Sequence, residues 1–274
     1  MFPSSPILGK FAPVNLRSPV NKAHNLNRGR VAWYLTLPGW YGGAKFYDLM
    51  GLNHGTLTNM GNVNSGWRGT TRPIGFGHLL FDGSASNVAV PSGMTARFNG
   101  GVIISVASWV KPTVSISGYQ SIVDMANRAI GMFFESPTSL YTSIGSPVSA
   151  GSGIAISPAF QLDVWQRIML TCDGVTVRIY VNGKQAGSTT SASVIGTTIG
   201  SQALSIGGNP SGVAVLQGSQ DDISFWLRAL SATEARQDYD LSRQGYPGVL
   251  NRVSMWTYNT GGVAVKTYSM ILNF

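Results

Sequence analysis

Through the middle of the chain, apolar and polar positions alternate in short runs broken by turn residues. Val175, Val177, Ile179 and Val181 fall on one side of such a run, with Thr176, Arg178 and Tyr180 on the other. Period two with one apolar side predicts a half-buried antiparallel strand. Asp173-Gly174 ahead of it predicts a hairpin with residues 167–172, and Asn182-Gly183 after it predicts a second tight turn into residues 184–188. Residues 102–110 form a further predicted strand, closed by Lys111-Pro112, and residues 204–208 and 222–226 add two more. One helix is signalled. Ser231 caps it, Glu234 completes a capping box, the residues from Ala232 to Arg243 are good helix formers, and Gly245 and Pro247 stop it. Many short antiparallel strands and one late helix predict an all-β, two-sheet antiparallel jelly-roll sandwich.

Composition agrees. Of 274 residues 34 are Gly, 11% are charged and 10% are aromatic, which suits a turn-rich β protein and excludes a coiled coil or a disordered chain. Three His and one Cys exclude zinc fingers and internal disulfides. Cys172, within a strand pattern, is expected as a small buried hydrophobe.

The net charge of +8 changes the picture only once it is located. Residues 1–30 carry Lys10, Arg17, Lys22, Arg28 and Arg30 and no acid, and residues 243–274 carry Arg243, Arg252 and Lys266 and no acid. Bases and acids balance over residues 31–242, which argues against a nucleic-acid-binding face. The expected organisation is an extended basic and apolar arm over 1–30, the jelly roll over 31–242, and an extension over 243–274 with short strands either side of Thr260-Gly261-Gly262. In the arm, Phe2, Ile7, Leu8 and Phe11 are interleaved with Pro3, Pro6 and Pro13, so it favours extended chain lying along a partner. Lys10, Arg17, Lys22, Arg28 and Arg30 are the expected partner contacts, as a group. No apolar stretch has the form of a cleavable signal or reaches the roughly 18 residues of a membrane span, so the expectation is synthesis in a reducing cytoplasm.

From about residue 31 to 239 the order of short motifs resembles the laminin-G-like, or concanavalin A-like, lectin/glucanase domains. The pieces are Val31-Ala32-Trp33-Tyr34, Asp48, Asn53-His54-Gly55-Thr56-Leu57, Phe81-Asp82-Gly83, Ser108-Trp109-Val110, Trp165-Gln166-Arg167-Ile168, Tyr180-Val181-Asn182-Gly183, Leu204-Ser205-Ile206-Gly207-Gly208, Gly218-Ser219-Gln220-Asp221-Asp222 and the helix start at Arg228 to Glu234. The resemblance implies a concanavalin A-like jelly roll. Met50 and Leu52 stand where relatives have a polar turn, which implies a covered surface there. Trp40 and Tyr41 sit in a glycine-rich insertion, Pro38-Gly39-Trp40-Tyr41-Gly42-Gly43. They suit either a stacking platform for sugar or packing against the body or a neighbouring chain.

The chemistry of hydrolysis is sparse. Glycosidases need two carboxyl groups flanking the bond. Glu135 and Glu234 are the chain's only glutamates, and Glu234 is assigned to the helix cap. No nucleophile elbow or phosphate loop occurs, and His24, His54 and His78 lack metal spacing. The expectation is therefore no enzyme, no catalytic residue and no cofactor. Calcium is the one candidate ion, through Asp48, Asp82, Asp221 and Asp222, from which no full ligand set assembles. The family resemblance together with the arms implies a structural protein of a phage virion, a decoration, minor capsid or tail-associated component assembled in the host cytoplasm. Its expected partners are other virion or assembly proteins, bound through the arms, and further copies of itself in a homo-oligomer. The alternative is a carbohydrate-binding module for host or environmental glycans, with Trp40, Tyr41 and Tyr119 as the aromatic candidates.

Overall fold

The structure is a computed structural model. It describes residues 20–36, 43–51, 53–61, 65–69, 77–114, 116, 118–125, 129–145, 151–190, 192–200, 203–209, 214–246, 249–250, 253–258 and 264–270. In chain order the first strands are β1 (Arg30–Tyr34), β2 (Lys45–Phe46), β3 (Gly55–Thr58), β4 (Gly66–Arg68), β5 (His78–Asp82) and β6 (Asn87–Val90), followed by the short helix α1 (Ser92–Thr95). Then come β7 (Ile103–Pro112), β8 (Gln120–Met125), β9 (Ile130–Ser136), β10 (Ser139–Ile144), β11 (Ser152–Ala155), β12 (Gln166–Asp173), β13 (Val177–Val181) and β14 (Lys184–Thr189). The series ends with β15 (Leu204–Ile206), β16 (Gln217–Trp226), helix α2 (Ala232–Arg243), β17 (Val253–Tyr258) and β18 (Ala264–Met270).

Two eight-stranded antiparallel sheets form a sandwich. The first runs β14-β13-β12-β7-β16-β5-β4, with β1 also paired to β16, and the second runs β11-β10-β9-β8-β15-β6-β3-β2. Strands β17 and β18 form a separate two-stranded sheet among the described residues. Alternation in each strand aims one set of side chains between the sheets: Ile104, Val106, Ile168, Leu170, Ile179 and Phe225 from the first, and Val88, Ile130, Met132, Phe134, Leu140 and Ile206 from the second. Burying these apolar faces against each other is the main driving force of the fold.

The turn chemistry acts as the residues dictate. Asn182 (φ 52°) and Gly183 (φ 74°) both lie in the left-handed region, which a two-residue turn of this type requires at both positions. Val175, expected on the apolar face of β13, is instead 68% exposed, because it belongs to the turn ahead of that strand. There Asp173 Oδ1 accepts from Val175 N and Thr176 N at 3.0 and 2.7 Å. Strand β7 continues through Lys111 and Pro112 rather than ending before them, since Pro112 sits at the strand's last position, opposite Gly218. Helix α2 has both halves of the capping box, Glu234 N on Ser231 Oγ at 3.2 Å and Ser231 N on Glu234 Oε2 at 3.0 Å.

The boundary expected at residue 31 moves. Residues 20–30 pack on the sandwich: Val20 bridges to Leu250, Asn21 N donates to Val249 O at 2.9 Å, and Trp226 Nε1 donates to Leu26 O at 2.7 Å. The two segments flanking the jelly roll thus clasp each other. Val20, Tyr246, Val249 and Leu250 pack with Trp33, Leu35 and Leu49, and Met50 packs against this cluster, while Leu52 lies outside the described residues. No helix among the described residues is long and apolar enough to cross a membrane.

Candidate functional site

Each sheet has an outer face, and the two faces differ. The outer face of the first sheet is occupied by the chain itself. Helix α2 lays Ala235 on Ala107, Met169, Tyr180, Trp226 and Leu230, and the terminal clasp lies over Trp33. Between them is a buried polar network. Arg167 Nε donates to Asp238 Oδ2 at 2.8 Å and its Nη2 to Tyr246 Oη at 3.1 Å. Tyr246 donates to Asp222 Oδ2 at 2.8 Å, and Trp33 Nε1 donates to Asp222 Oδ1, also at 2.8 Å. Burial opposes the charge on Arg167, but Asp222 and Asp238 outweigh it and raise the guanidinium above its ordinary value. Burial likewise pushes the Tyr246 phenol well up.

Arg30, expected from the sequence as an arm contact, belongs instead to this interior. It is 4% exposed, its guanidinium lies 3.9 Å from the Trp33 ring and 4.6 Å from the Trp226 ring, and its Nη2 is 3.7 Å from Asp238 Oδ1. Burial lowers its pKa. A side chain stacked between two indoles in the interior is not presented to a partner. Lys22 and Arg28 are exposed, while Lys10, Arg17, Trp40 and Tyr41 lie outside the described residues.

Among the described residues no helix covers the outer face of the second sheet. Cross-strand partners there are Ser121, Phe133, Tyr141 and Gly153 on β8, β9, β10 and β11. Tyr119, just before β8, stands over them with 49% of its surface exposed. Its ring meets Tyr141 at 4.8 Å and Phe133 at 6.2 Å, both edge-on, so two buried aromatics fix a third at the surface. Beside it Glu135 accepts from Ser139 Oγ at 2.6 Å and from Tyr119 Oη at 3.5 Å. Two glycines keep this corner open. A Cβ at Gly151 would run into the Tyr141 ring, and one at Gly153 into the Glu135 carboxylate. The result is a half-exposed aromatic ring held rigidly next to a carboxylate and a hydroxyl.

Of the three aromatic candidates Tyr119 is the one within the described residues, and it lies on this face. Phe133, Tyr141, Glu135 and Ser139 complete the corner, and sequence reasoning missed all four. The alternation Gly131-Phe133-Glu135 was a usable signal, but it needs the pairing with Tyr141 to acquire meaning.

The carboxylates considered for calcium are taken by protein donors. Asp48 accepts from Trp33 N, Met50 N and Asn53 N, and Asp221 from Thr36 N and Oγ1. Burial alone would raise Asp82, but the N–H groups of Ser84, Ser86 and Ala85 and the Ser86 hydroxyl hold it below the usual range. Among the described residues no three His, Cys, Asp or Glu side chains gather as a metal site. His54 accepts from Asp48 N at 3.1 Å, a turn-fixing role.

A family model described as the concanavalin A-like lectin/glucanases superfamily, of laminin G type, matches residues 82–236. Among solved structures, Trypanosoma rangeli sialidase in complex with 2,3-difluorosialic acid aligns at 14% identity and TM-score 0.55, over 78% of this chain and 33% of that one. The binding domain of Paraclostridial Mosquitocidal Protein 1 aligns at 15% identity and TM-score 0.57, over 80% and 53%. Domain 4 of AbnA, a GH43 extracellular arabinanase from Geobacillus stearothermophilus in complex with arabinotriose, aligns at 17% identity and TM-score 0.53, over 76% and 97%. The chain spans about a third of the length of the sialidases it matches, and these likenesses establish the fold. Comparison with curated protein sequences gives no match.

Proposed function

The chain belongs to the concanavalin A-like lectin/glucanases superfamily, and on that premise we propose that it is a non-catalytic, lectin-like display domain. It takes a neutral glycan on the outer face of its second sheet and is held in a larger assembly through its ends. The observation that carries the reading is Tyr119, half exposed yet braced by Phe133 and Tyr141, with Glu135 and Ser139 alongside. An aromatic ring suits the apolar face of a pyranose, and the carboxylate and hydroxyl suit its hydroxyl groups. The absence of catalysis is supported by spacing. Glu135 and Asp124 share this face, but Asp124 pairs with Gly131, four residues along β9 from Glu135. That is about 13 Å of strand, against the roughly 5–9.5 Å that glycoside hydrolysis uses.

The test is a glycan array on the full chain, followed by calorimetric titration of the best neutral ligand with Tyr119→Ala. Affinity is expected to fall about tenfold or more, equivalent to about 1.4 kcal/mol, with the melting temperature unchanged. Unchanged affinity in that variant, or no neutral glycan bound at all, overturns the reading.

For the assembly, the acid-free basic composition of residues 1–30 favours an acidic shell, of which a phage virion with the chain as a decoration, minor capsid or tail-associated component is the reading we carry forward. Light scattering of the full chain and of a chain starting at Val20 tests it. Concentration-dependent association is expected for the first and a monomer for the second.

A further inference from the structure

At the opposite edge of the sandwich from β11 and β14, β4 closes the first sheet and β2 the second. A pocket of about 400 Å3 lies there, with Leu57, Met60 and Trp67 as its apolar wall and Arg68 as its charged group. Leu57, Met60 and Trp67 also touch the main core, so this wall is anchored. Trp67 is fixed further: its ring meets Phe46 edge-on at 5.5 Å and its Nε1 donates to Gly43 O at 3.0 Å. Gly43, Gly61 and Gly66 supply bare main chain to the lining, and all three have positive φ (70°, 117° and 104°). A Cβ at Gly43 or Gly61 would meet nothing within 4 Å, so these two glycines leave space at the pocket, while Gly43 O is held by Trp67 and Gly61 N donates to Ser65 O at 3.4 Å. An immobilised aromatic ring lining a pocket of this size matches the C–H face of a sugar ring.

Charge narrows the class. Between Asp48 and Asp82 the chain has no acidic residue, while Arg68 lines the pocket and Lys45 is exposed on the adjoining edge strand. Both charged side chains named at this edge are basic, Arg68 also donating through Nη1 to Trp67 O at 2.8 Å, whereas the Tyr119 corner carries Glu135. We propose that this pocket binds one anionic sugar unit, a pyranose bearing a carboxylate or a sulfate, with the ring at Trp67 and the anionic group towards Arg68. The site is separate from the neutral-glycan face, so either can fail without the other.

The experiment titrates the full chain with methyl glucuronide, methyl glucoside 6-sulfate, methyl glucoside and inorganic sulfate, following tryptophan indole N–H signals by NMR. The Trp67 signal is assigned from its loss in Trp67→Phe. The glucuronide, the sulfated glucoside or both are expected to shift that signal, more weakly as salt is raised. The stronger of the two identifies the anionic group. Arg68→Gln is expected to weaken binding at least tenfold, and Arg68→Lys to recover most of it, with the neutral-glycan affinity of the Tyr119 face unchanged in both. The proposal is overturned if methyl glucoside binds as well as the charged sugars. It also fails if inorganic sulfate binds as tightly as the sulfated sugar, or if Arg68→Gln binds as the parent chain does.

Discussion

Arg167 on β12 places its Nε 2.8 Å from Asp238 Oδ2 on α2, where both side chains are shut off from water. Two residues on, Asp240 makes a pair of similar length with Arg236, 2.7 Å apart, but at the surface. Similar distances conceal unequal stakes. In the interior, removing Asp238 leaves the buried guanidiniums of Arg30 and Arg167 short of a carboxylate, with Asp222 still beside Arg167, at a cost of about 3–5 kcal/mol. At the surface water replaces the lost partner, and the change is about 0.5 kcal/mol or less. Asp238→Ala should therefore move the urea midpoint far down and Asp240→Ala hardly at all. Similar midpoints for the two variants would show that the interior pair is solvated.

The clasp between the chain ends sets how much can be trimmed. A chain starting at Val20 keeps the bridge to Leu250, the Leu26 carbonyl on Trp226 and Arg30 between its two indoles. A chain starting at Val31 loses all of them, including the burial of Val20 and Leu26, worth together about 3 kcal/mol or more. Chemical denaturation should give the Val20 start the stability of the full chain and the Val31 start clearly less. Equal stabilities would mean that residues 20–30 rest on the body without holding it.

Acid should act through the β12–β13 turn. The Arg178 guanidinium, with the N–H groups of Thr176 and Val175, lowers the Asp173 pKa to about 2. A depressed carboxylate contributes stability above its unfolded value near pH 4, and the contribution disappears as pH falls towards 2. Asp173 and Arg178 are each about one-third exposed, so solvent screening keeps the contribution small. Asp173→Asn is expected to melt slightly below the parent at pH 7 and together with it near pH 2. A gap that persists at pH 2 would assign the effect to lost turn hydrogen bonds instead of charge.

Gly153 offers a way to disturb the aromatic corner without touching the core. It is exposed, and an added Cβ would collide with the Glu135 carboxylate and come within 2.6 Å of Ser139 Oγ. Gly153→Ala should push Glu135 out of place and weaken neutral-glycan binding about tenfold, with stability changed by about 1 kcal/mol or less. Calorimetric titration beside thermal melting separates the two effects. Intact binding would mean that Glu135 takes no part.

Local chemistry was readable where residues act on near neighbours. Ser231 with Glu234, and Asn182 with Gly183, specify a cap and a turn from within a few positions, and both are found. Much of the second sheet was not readable, because β8 and the first five residues of β9 are buried on both faces and lose the alternation that marks a strand. Arg30 misled for another reason. Its neighbours in sequence are basic, whereas its neighbours in space are Trp33, Trp226 and Asp238, which only the pairing of β1 with β16 and the docking of α2 bring together. Tyr119 was found as an aromatic, but Phe133 and Tyr141, which make it rigid, join it through strand register. The motif residues Arg167 and Asp222 read as family markers, and their shared occupation is to fasten helix and chain ends to the first sheet.

The bridge between Val20 and Leu250 has a directional consequence. Both ends of the jelly roll leave it side by side, over the first sheet, while Tyr119 stands on the reverse side. Anchoring by either end turns the same side of the molecule outward, so orientation does not depend on which end is held. Tension applied across the two ends would fall first on this bridge, the bonds of Asn21 and Asn27 to Val249 O and the Trp33–Tyr246 contact, and reach the long ladders of β7, β12 and β16 only after the clasp had peeled away. Such a molecule gives way at its fastening before it loses its shape.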